Sequence, residues 1–545
     1  MKQHLIYFLF FLILGAVAIQ VLRAPFYERG DGREYIIQTQ SIVFDHSLRI
    51  DTKSRRDYWN LTNPFGLTLS EAKPPLPKDG HQLKETDQAC GNFGSLYPDE
   101  NGDYRYIHSW MYSLATSSLY ALLHYIDSGR RLEYYSFRLF NLLLFILSLS
   151  LLLIGNPSFK ALLTLTLTLA SPLTGYLEWE HVEVFCFALT LIAFILIDSP
   201  RLRYYSTIPL GIAAAQNIPI LLFLPIHTFL YSKKLGKDWP SPSHWLKYLL
   251  GLIFPALQLF YFREYFGVFS LYPVLKGASL DFITFDKVLD IFISPLMGCL
   301  WFYPLLFLLL PSRIAKANAL QLFFICLSVL LVASLASSTS NLSSSQIGSL
   351  RYAAWFTAPL LWAILKKEWQ PNSIIQKCLE TFGFISSLFI IIYFQSYRLL
   401  LGDSMYFMSH DIKRYEISSL YKLTHYHDDA ELLAEHIQGK EIYAPYNFNG
   451  FYIWKLDQEN SMWLLSKRAL DRLSHLEFLR EPNSEIASSL NSDILSCSEY
   501  LCRLNPENIN YFHKHPVLGH YQLIWIKGPL KEIKANVPIY LREET

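Results

Sequence analysis

Asp31-Gly-Arg33-Glu34-Tyr-Ile-Ile-Gln38-Thr-Gln-Ser41-Ile-Val-Phe-Asp45 follows an apolar N-terminal segment and opens a long polar loop. In a helix, Asp31, Glu34, Gln38, Ser41 and Asp45 fall within one narrow stripe, because steps of three and four residues return to one face. The flanking positions are largely apolar: Tyr35, Ile36, Ile37, Ile42, Val43 and Phe44. That pattern suits a helix lying at a membrane surface with its carboxylates facing a cleft. A plainer reading is a solvated helix start, with Asp31 favouring the positive end of the helix dipole. The rest of the chain decides between them.

The 545 residues are 52% hydrophobic and only 17% charged, with 35 Tyr and 38 Phe. Soluble domains carry roughly 25% charged residues, so this composition points to a membrane protein. A net charge of +1 excludes arguments from global electrostatics, and no basic stripe suggests nucleic acid as a partner. Cys186, Cys299, Cys326 and Cys378 lie in apolar stretches and read as small buried hydrophobes. Cys497 and Cys502 lie in the polar C-terminal region and are candidates for a local disulfide if that region faces an oxidising compartment. No Cys/His spacing matches a zinc site.

His4 to Val21 forms one apolar run of about the ~20 residues a bilayer needs. It lacks a small-residue cleavage site after a short apolar core, so it reads as an uncleaved anchor. Residues 23–132 are then mostly polar, apart from an apolar, hydroxyl-rich segment at 109–126 that reads as a second surface helix. Further apolar segments fall at 135–154, 160–177, 184–197, 206–217, 218–231, 246–262, 291–310, 319–337, 352–365 and 376–394. Gln216, Asn217 and Pro219 interrupt the 206–231 region, which predicts two tilted or half-membrane helices meeting at a sheltered polar turn.

Charge distribution orients these segments. With the N-terminus inside, the internal connections hold twelve basic residues, among them Arg201, Arg203, Lys233 and Lys234, against Asp198, Asp238 and Glu368. The positive-inside rule then supports about eleven spans, with the 23–132 loop and the C-terminal region both outside. The expected architecture is an all-α polytopic membrane domain over residues 1–395 and a small external α/β domain over 396–545. In the latter, Asp428–Gln438 and Lys467–Leu479 read as helices, and Glu441–Ala444 and Tyr521–Ile526 as strands. It shows no nucleophile elbow, phosphate loop or metal motif.

The chemistry-bearing residues gather on the external side of this map. Asp31, Arg33 and Glu34 begin the first loop, and His108 precedes the 109–126 helix. Arg138 lies near an outer span end, Glu178, Glu180, His181 and Glu183 crowd one short turn, and Arg351-Tyr352 opens a late span. Ionisable groups near bilayer depth are costly and tend to mark sites. Each has a plainer reading: snorkelling for Arg138, an interfacial anchor for Arg351-Tyr352, a solvated turn for 178–183, and a packed histidine for His108. Convergence on one side is more informative than any one of them. Glycosidases need two carboxylates, because the leaving alcohol must be protonated. A sugar leaving a phosphate carrier needs instead cations on the departing phosphate, best supplied by arginine's two-pronged donors, and one base for the incoming hydroxyl. Asp31 as base, with Arg351 and Arg138 as a phosphate clamp, fits that division of labour.

At this point the sequence resembles the GT-C type glycosyltransferases that use polyprenyl-phosphate sugars, including the protein O-mannosyltransferases and the lipid A aminoarabinose transferases. The likeness runs in order through most of residues 5–395. It rests on Asp31-Gly-Arg-Glu-Tyr35 with Gln40-Ser41-Ile42 and His46-Ser47-Leu48, then Tyr104-Arg-Tyr106-Ile-His108-Ser-Trp110, Arg138-Leu139-Phe-Asn141 and Glu183-Val-Phe. Tyr265-Phe-Gly267, Ser294-Pro295-Leu-Met-Gly298 with Tyr303-Pro304, and Gly348-Ser-Leu-Arg351-Tyr352 continue it. The resemblance implies a multi-span helical domain with two external surface helices. It implies Asp31 as catalytic carboxylate, Glu183 as a second acidic position, and Arg351 as a donor-phosphate ligand beside Tyr352 and Arg138. Arg33, His108, Glu180 and His181 would line the substrate cavity.

This chain departs from the family in two places. Many members have Asp-Glu where it has Asp31-Gly32, which leaves open whether Glu34 replaces the missing carboxylate. The Lys-Pro-Pro approach of the aminoarabinose enzymes is absent, which removes grounds for naming the sugar or expecting a metal; no cofactor is called for, and a divalent metal stays open. The expected function is therefore inverting transfer of a sugar from a polyprenyl-phosphate donor to an external lipid, glycan or protein acceptor. The alternatives are a transporter or flippase of lipid-linked sugars and a non-catalytic membrane scaffold. A transporter places ionisable groups near the bilayer midplane and often shows repeated halves, whereas the charges here cluster at one face. The expected location is a bacterial inner membrane with a periplasmic active site. The sequons Asn60-Leu-Thr62 and Asn341-Leu-Ser343 leave an endoplasmic-reticulum home open.

Overall fold

The computed structural model describes residues 2–23, 32–50, 96–99, 101, 103–126, 132–170, 172–177, 180–235, 241–271, 278, 280, 283, 285–293, 298–303, 319–339, 351–365, 374–401, 451–455, 460–466, 494–497, 501–504 and 521–527. Asp31, Glu178, both sequons and the expected elements Asp428–Gln438, Glu441–Ala444 and Lys467–Leu479 lie outside them.

The protein is mostly helical. α1 (Lys2–Arg23), α2 (Gly32–Phe44), α3 (Met111–Ile126), α4 (Ser136–Gly155) and α5 (Phe159–Ala170) come first, with a two-stranded antiparallel hairpin, β1 (Leu96–Pro98) and β2 (Tyr104–Tyr106), between α2 and α3. α6 (Glu183–Asp198), α7 (Thr207–Gln216), α8 (Leu224–Leu235), α9 (Pro242–Leu249) and α10 (Ile253–Phe266) follow. Then come α11 (Phe285–Ile293), the one-turn α12 (Cys299–Phe302), α13 (Ala319–Ala336), α14 (Ala353–Leu365) and α15 (Ile374–Leu401).

Among the described residues, four stretches are long and apolar enough to cross a bilayer: Gln3–Arg23, Ser136–Gly155, Pro242–Phe266 and Ala319–Ala336. Their outward faces are greasy, as lipid contact requires: Phe8, Leu12, Leu143, Phe260 and Phe323 are all exposed. By length and composition, these helices point to association with a membrane.

The centre of the bundle is α6, which packs against α4, α7 and α14. Its sequence is apolar on every side, as a helix must be when neighbours surround it; Val184 to Ala188, Leu191, Ala193 and Phe194 are all buried. The same holds for α14, where every residue from Ala353 to Leu365 is buried. Its 13 residues reach only about 20 Å at the α-helical rise, so its surroundings are protein rather than lipid.

Several expected segments break where their chemistry dictates. The 160–177 segment is not one helix: α5 is followed by a 3₁₀ stretch at Pro172–Leu177, since proline lacks the amide to continue the ladder. The expected break at 216–219 is present. α7 gives way to extended backbone at Asn217, then to a 3₁₀ stretch over Ile218–Phe223, then to α8. The Asn217 amide donates to Ala213 O (2.9 Å) and its side chain to Cys186 Sγ (3.1 Å), so the freed polar groups are satisfied within the protein. α10 ends at Gly267, whose φ of 67° places it in the left-handed region that closes helices.

The plainer reading of α2 as a solvated helix start does not hold. Every residue from Glu34 to Ser41 is buried, because α3 covers one side of α2 and the first turn of α2 lies against Glu180. Polar pairing makes that burial tolerable. Thr39 Oγ1 donates to Ser113 O (3.3 Å), Ser113 Oγ to Tyr35 O (3.1 Å), Gln40 Nε2 to Tyr120 Oη (3.0 Å) and Ser41 Oγ to Arg49 O (2.6 Å).

Near the C-terminus, β3 (Phe451–Lys455), β4 (Asn460–Ser466), β5 (Ile494–Cys497), β6 (Leu501–Leu504) and β7 (Tyr521–Lys527) form a five-stranded antiparallel sheet in the order β3-β4-β7-β6-β5. The strand expected at 521–526 is thus present one residue longer. The register sets the Cα of Cys497 opposite that of Cys502.

Candidate functional site

The side chains converge where the start of α2, the loop before α3, the start of α4, the turn before α6 and the start of α14 meet. The 180–183 turn is the anchor. Glu180, His181 and Glu183 are all almost fully buried, which a solvated turn would not require. Arg138, on the first turn of α4, donates through Nε to Glu180 Oε1 at 2.9 Å, and both side chains are 1% exposed. One turn on, Asn141 Nδ2 donates to His181 O at 3.0 Å. The i, i+3 spacing of Arg138 and Asn141 puts both on the face of α4 that meets the turn.

His181 Nδ1 hydrogen-bonds Glu183 Oε2. On its other side, His181 Nε2 faces Arg351 Nη1 at 3.5 Å, while Arg351 Nε lies 3.9 Å from Glu183 Oε1. Arg351 Nη2 donates to Tyr352 Oη at 3.0 Å. The Arg351 side chain is 16% exposed, against 1% for Arg138, so Arg351 is the more accessible of the two.

Glu34 pairs with His108 Nε2 at 2.9 Å. The ring of Tyr35 then bridges the two halves of the site. It lies 5.8 Å from the His108 ring, 5.7 Å from that of His181 and 5.3 Å from that of Tyr112. Gln216 holds this bridge from the broken helix: its Nε2 donates to Tyr35 Oη (3.4 Å) and its Oε1 accepts from the Tyr112 amide (2.9 Å). Burial, with the Glu180 carboxylate adding to it, pushes the Tyr112 phenol well above its ordinary value, so it stays a neutral donor.

His108 is placed by the hairpin. Arg105 on β2 donates to Asp99 Oδ2 at 2.8 Å, and its guanidinium sits 3.6 Å from the centre of the Tyr265 ring on α10. Ser109 Oγ donates to Gln258 Oε1 at 3.0 Å. A cation–π contact and a buried hydrogen bond thus fasten both sides of His108 to one helix face.

Of the residues singled out from the sequence, Glu34, His108, Arg138, Glu180, His181, Glu183, Arg351 and Tyr352 form this one contact network. Arg33 lies on the first turn of α2. Asp31 lies outside the described residues, but the next residue is informative. A Cβ built on Gly32 meets Glu180 O at 3.1 Å. The missing side chain is what lets the start of α2 sit on the backbone of the 180–183 turn. Comparison with known proteins finds no counterpart for this arrangement: no family model, curated protein or solved structure matches the chain.

Sequence reasoning missed Tyr35, Asn141 and Gln216. Asn141 carried a signal in its helical spacing from Arg138. Gln216 was visible only as a helix breaker, and Tyr35 looked like one apolar residue among six. Gln38 Nε2 is buried with no partner among the described residues. Those residues gather no cluster of three or more His, Cys, Asp or Glu suited to a metal ion. Among the described side chains, the site offers a buried acidic–imidazole core beside the partly exposed Arg351 guanidinium.

Proposed function

We propose that this chain is an integral membrane glycosyltransferase that moves a sugar from a polyprenyl-phosphate carrier to an external lipid, glycan or protein acceptor, with inversion by direct attack. The observation that carries the reading is the network itself. Residues as far apart in sequence as Glu34, His108, Arg138, Glu183 and Arg351 are tied together by contacts running through Tyr35 and the 180–183 turn. Ionisable groups are not brought to one end of a membrane helix bundle at random, because each costs desolvation there.

In this reading Asp31 takes the proton from the incoming hydroxyl, and the freed oxygen attacks the anomeric carbon. Arg351 binds the phosphate as the carbon–oxygen bond to the carrier breaks, since a bidentate donor suits a phosphate gaining charge. Arg138 acts through Glu180: it is sealed from ligand and holds the turn in place. Glu34 and His108 line the acceptor side. The polytopic domain extends to about residue 395 with about eleven spans, and the site and the 396–545 region face the periplasm of a bacterial inner membrane.

Asp31→Asn tests the role of the base, because it removes the basic oxygen with little change of shape. Cells carrying the variant are expected to lose the glycan that the wild type installs and to accumulate the lipid-linked sugar, both read by mass spectrometry. An unchanged glycan profile at normal protein level removes Asp31 from the mechanism. A loss of lipid-linked sugar from the outer leaflet, with transfer intact on supplied donor, would point to a flippase instead.

A further inference from the structure

Within the contacts described, the hydrogen-bond chain Glu183–His181–Arg351 favours one proton arrangement. Guanidinium nitrogens donate and never accept. Arg351 Nη1 stands 3.5 Å from His181 Nε2, so that nitrogen must present its lone pair. A protonated Nε2 would set donor against donor. The ring proton then sits on Nδ1, where Glu183 Oε2 accepts it. The carboxylate thus fixes the tautomer, as a carboxylate behind an imidazole commonly does. On its far side Arg351 is steadied by Tyr352 Oη, and Glu183 reaches it directly through Oε1 as well.

The backing is closely packed. His181 and Glu183 are 3% and 1% exposed, Asn141 holds the His181 carbonyl, and the Tyr35 ring packs perpendicular to the imidazole at 5.7 Å. Of these three side chains, Arg351 is the most accessible, at 16% exposed. A long, rotamer-rich side chain loses entropy when a ligand immobilises it, and a seat that fixes it beforehand removes part of that cost.

We propose that His181, in its Nδ1-protonated form set by Glu183, is a positioning residue that seats Arg351 for a lipid-linked phosphate. The phosphate part rests on the transferase reading; the seat itself does not.

Two measurements on the full-length protein in detergent separate the two. With histidines labelled with heavy nitrogen, the His181 signals, assigned by their loss in His181→Gln, report which ring nitrogen is protonated. The expected result at neutral pH is a protonated Nδ1 and a bare Nε2. A protonated Nε2 overturns the seat whatever the protein does. The second measurement is the affinity for farnesyl phosphate, a short polyprenyl phosphate. A hydrogen bond to a charged group is strong enough that His181→Phe is expected to weaken binding about tenfold or more. His181→Gln, whose amide oxygen still accepts, is expected to recover most of that loss. In an Arg351→Ala background His181→Phe is expected to change affinity by less than about twofold, as non-additivity requires of residues acting through one another. Equal losses with and without Arg351 overturn the positioning role. A correct tautomer with no farnesyl phosphate binding by the wild type overturns the transferase reading, and with it the phosphate role of the seat.

Discussion

At the scale of single residues, Gly32 does more than its lack of a side chain suggests. It marks the point where α2 touches the backbone of the 180–183 turn, and a Cβ there would stand 3.1 Å from Glu180 O and 3.3 Å from Glu180 Cβ. Backbone cannot swing aside as a side chain can. Gly32→Ala is therefore expected to push the first turn of α2 outward and to destabilise the protein by roughly 1–3 kcal/mol, the usual cost of overfilling a tight site. Thermal unfolding in detergent checks this; an unshifted melting temperature removes the packing explanation. Glu34, on the same first turn of α2, pairs with His108. Buried pairs such as Arg138–Glu180 follow a related logic. They stabilise little in net terms, yet losing one partner strands a charge at a cost of about 3–5 kcal/mol.

At the scale of elements, small residues make a close backbone approach between helices. α7 crosses the 3₁₀ stretch at Leu250–Leu252 between α9 and α10, and a Cβ on Gly211 would fall 1.8 Å from Gly251 O. A Cβ on Gly251 would fall 2.1 Å from Thr207 O. Small residues at such a crossing let backbones meet where no hydrophobic drive between membrane helices exists. Gly211→Ala and Gly251→Ala are each expected to part these helices and lower the yield of monodisperse protein, read by size-exclusion chromatography. Since α7 ends at Gln216, which holds Tyr35, Gly211→Ala is also expected to loosen the site. Neither glycine was legible as a contact, because a crossing depends on two stretches far apart in sequence. What was legible followed from local chemistry: four of the expected spans from length and apolarity, the break at 216–219 from Gln, Asn and Pro, and several of the contacting site residues from their charge. The burial of α2 was not. Its alternating polar and apolar residues predict one wet face, and only the partners on α3 and the 180–183 turn convert Gln38, Thr39, Gln40 and Ser41 into interior residues.

At the scale of the whole molecule, orientation is the open variable with the sharpest consequence, and two cysteines report it. The proposed topology sends the C-terminal region to the same side as the site, and that side is oxidising in a bacterial periplasm. The β5–β6 register sets the Cα of Cys497 directly opposite that of Cys502, and directly opposed residues of antiparallel strands have Cα separations of about 4.5–5.5 Å, within the range a disulfide spans. Protein isolated under alkylating, non-reducing conditions is therefore expected to yield a peptide with Cys497 linked to Cys502, and both are expected to alkylate only after reduction. Cys186 and Cys299, buried among helices with free thiols, serve as internal standards that alkylate only on denaturation. Two free thiols at 497 and 502 in freshly quenched cells would place the region on the reducing side. The number of spans would then have to change by one, and the span count around 206–231, where two short helices share one break, is where it would change.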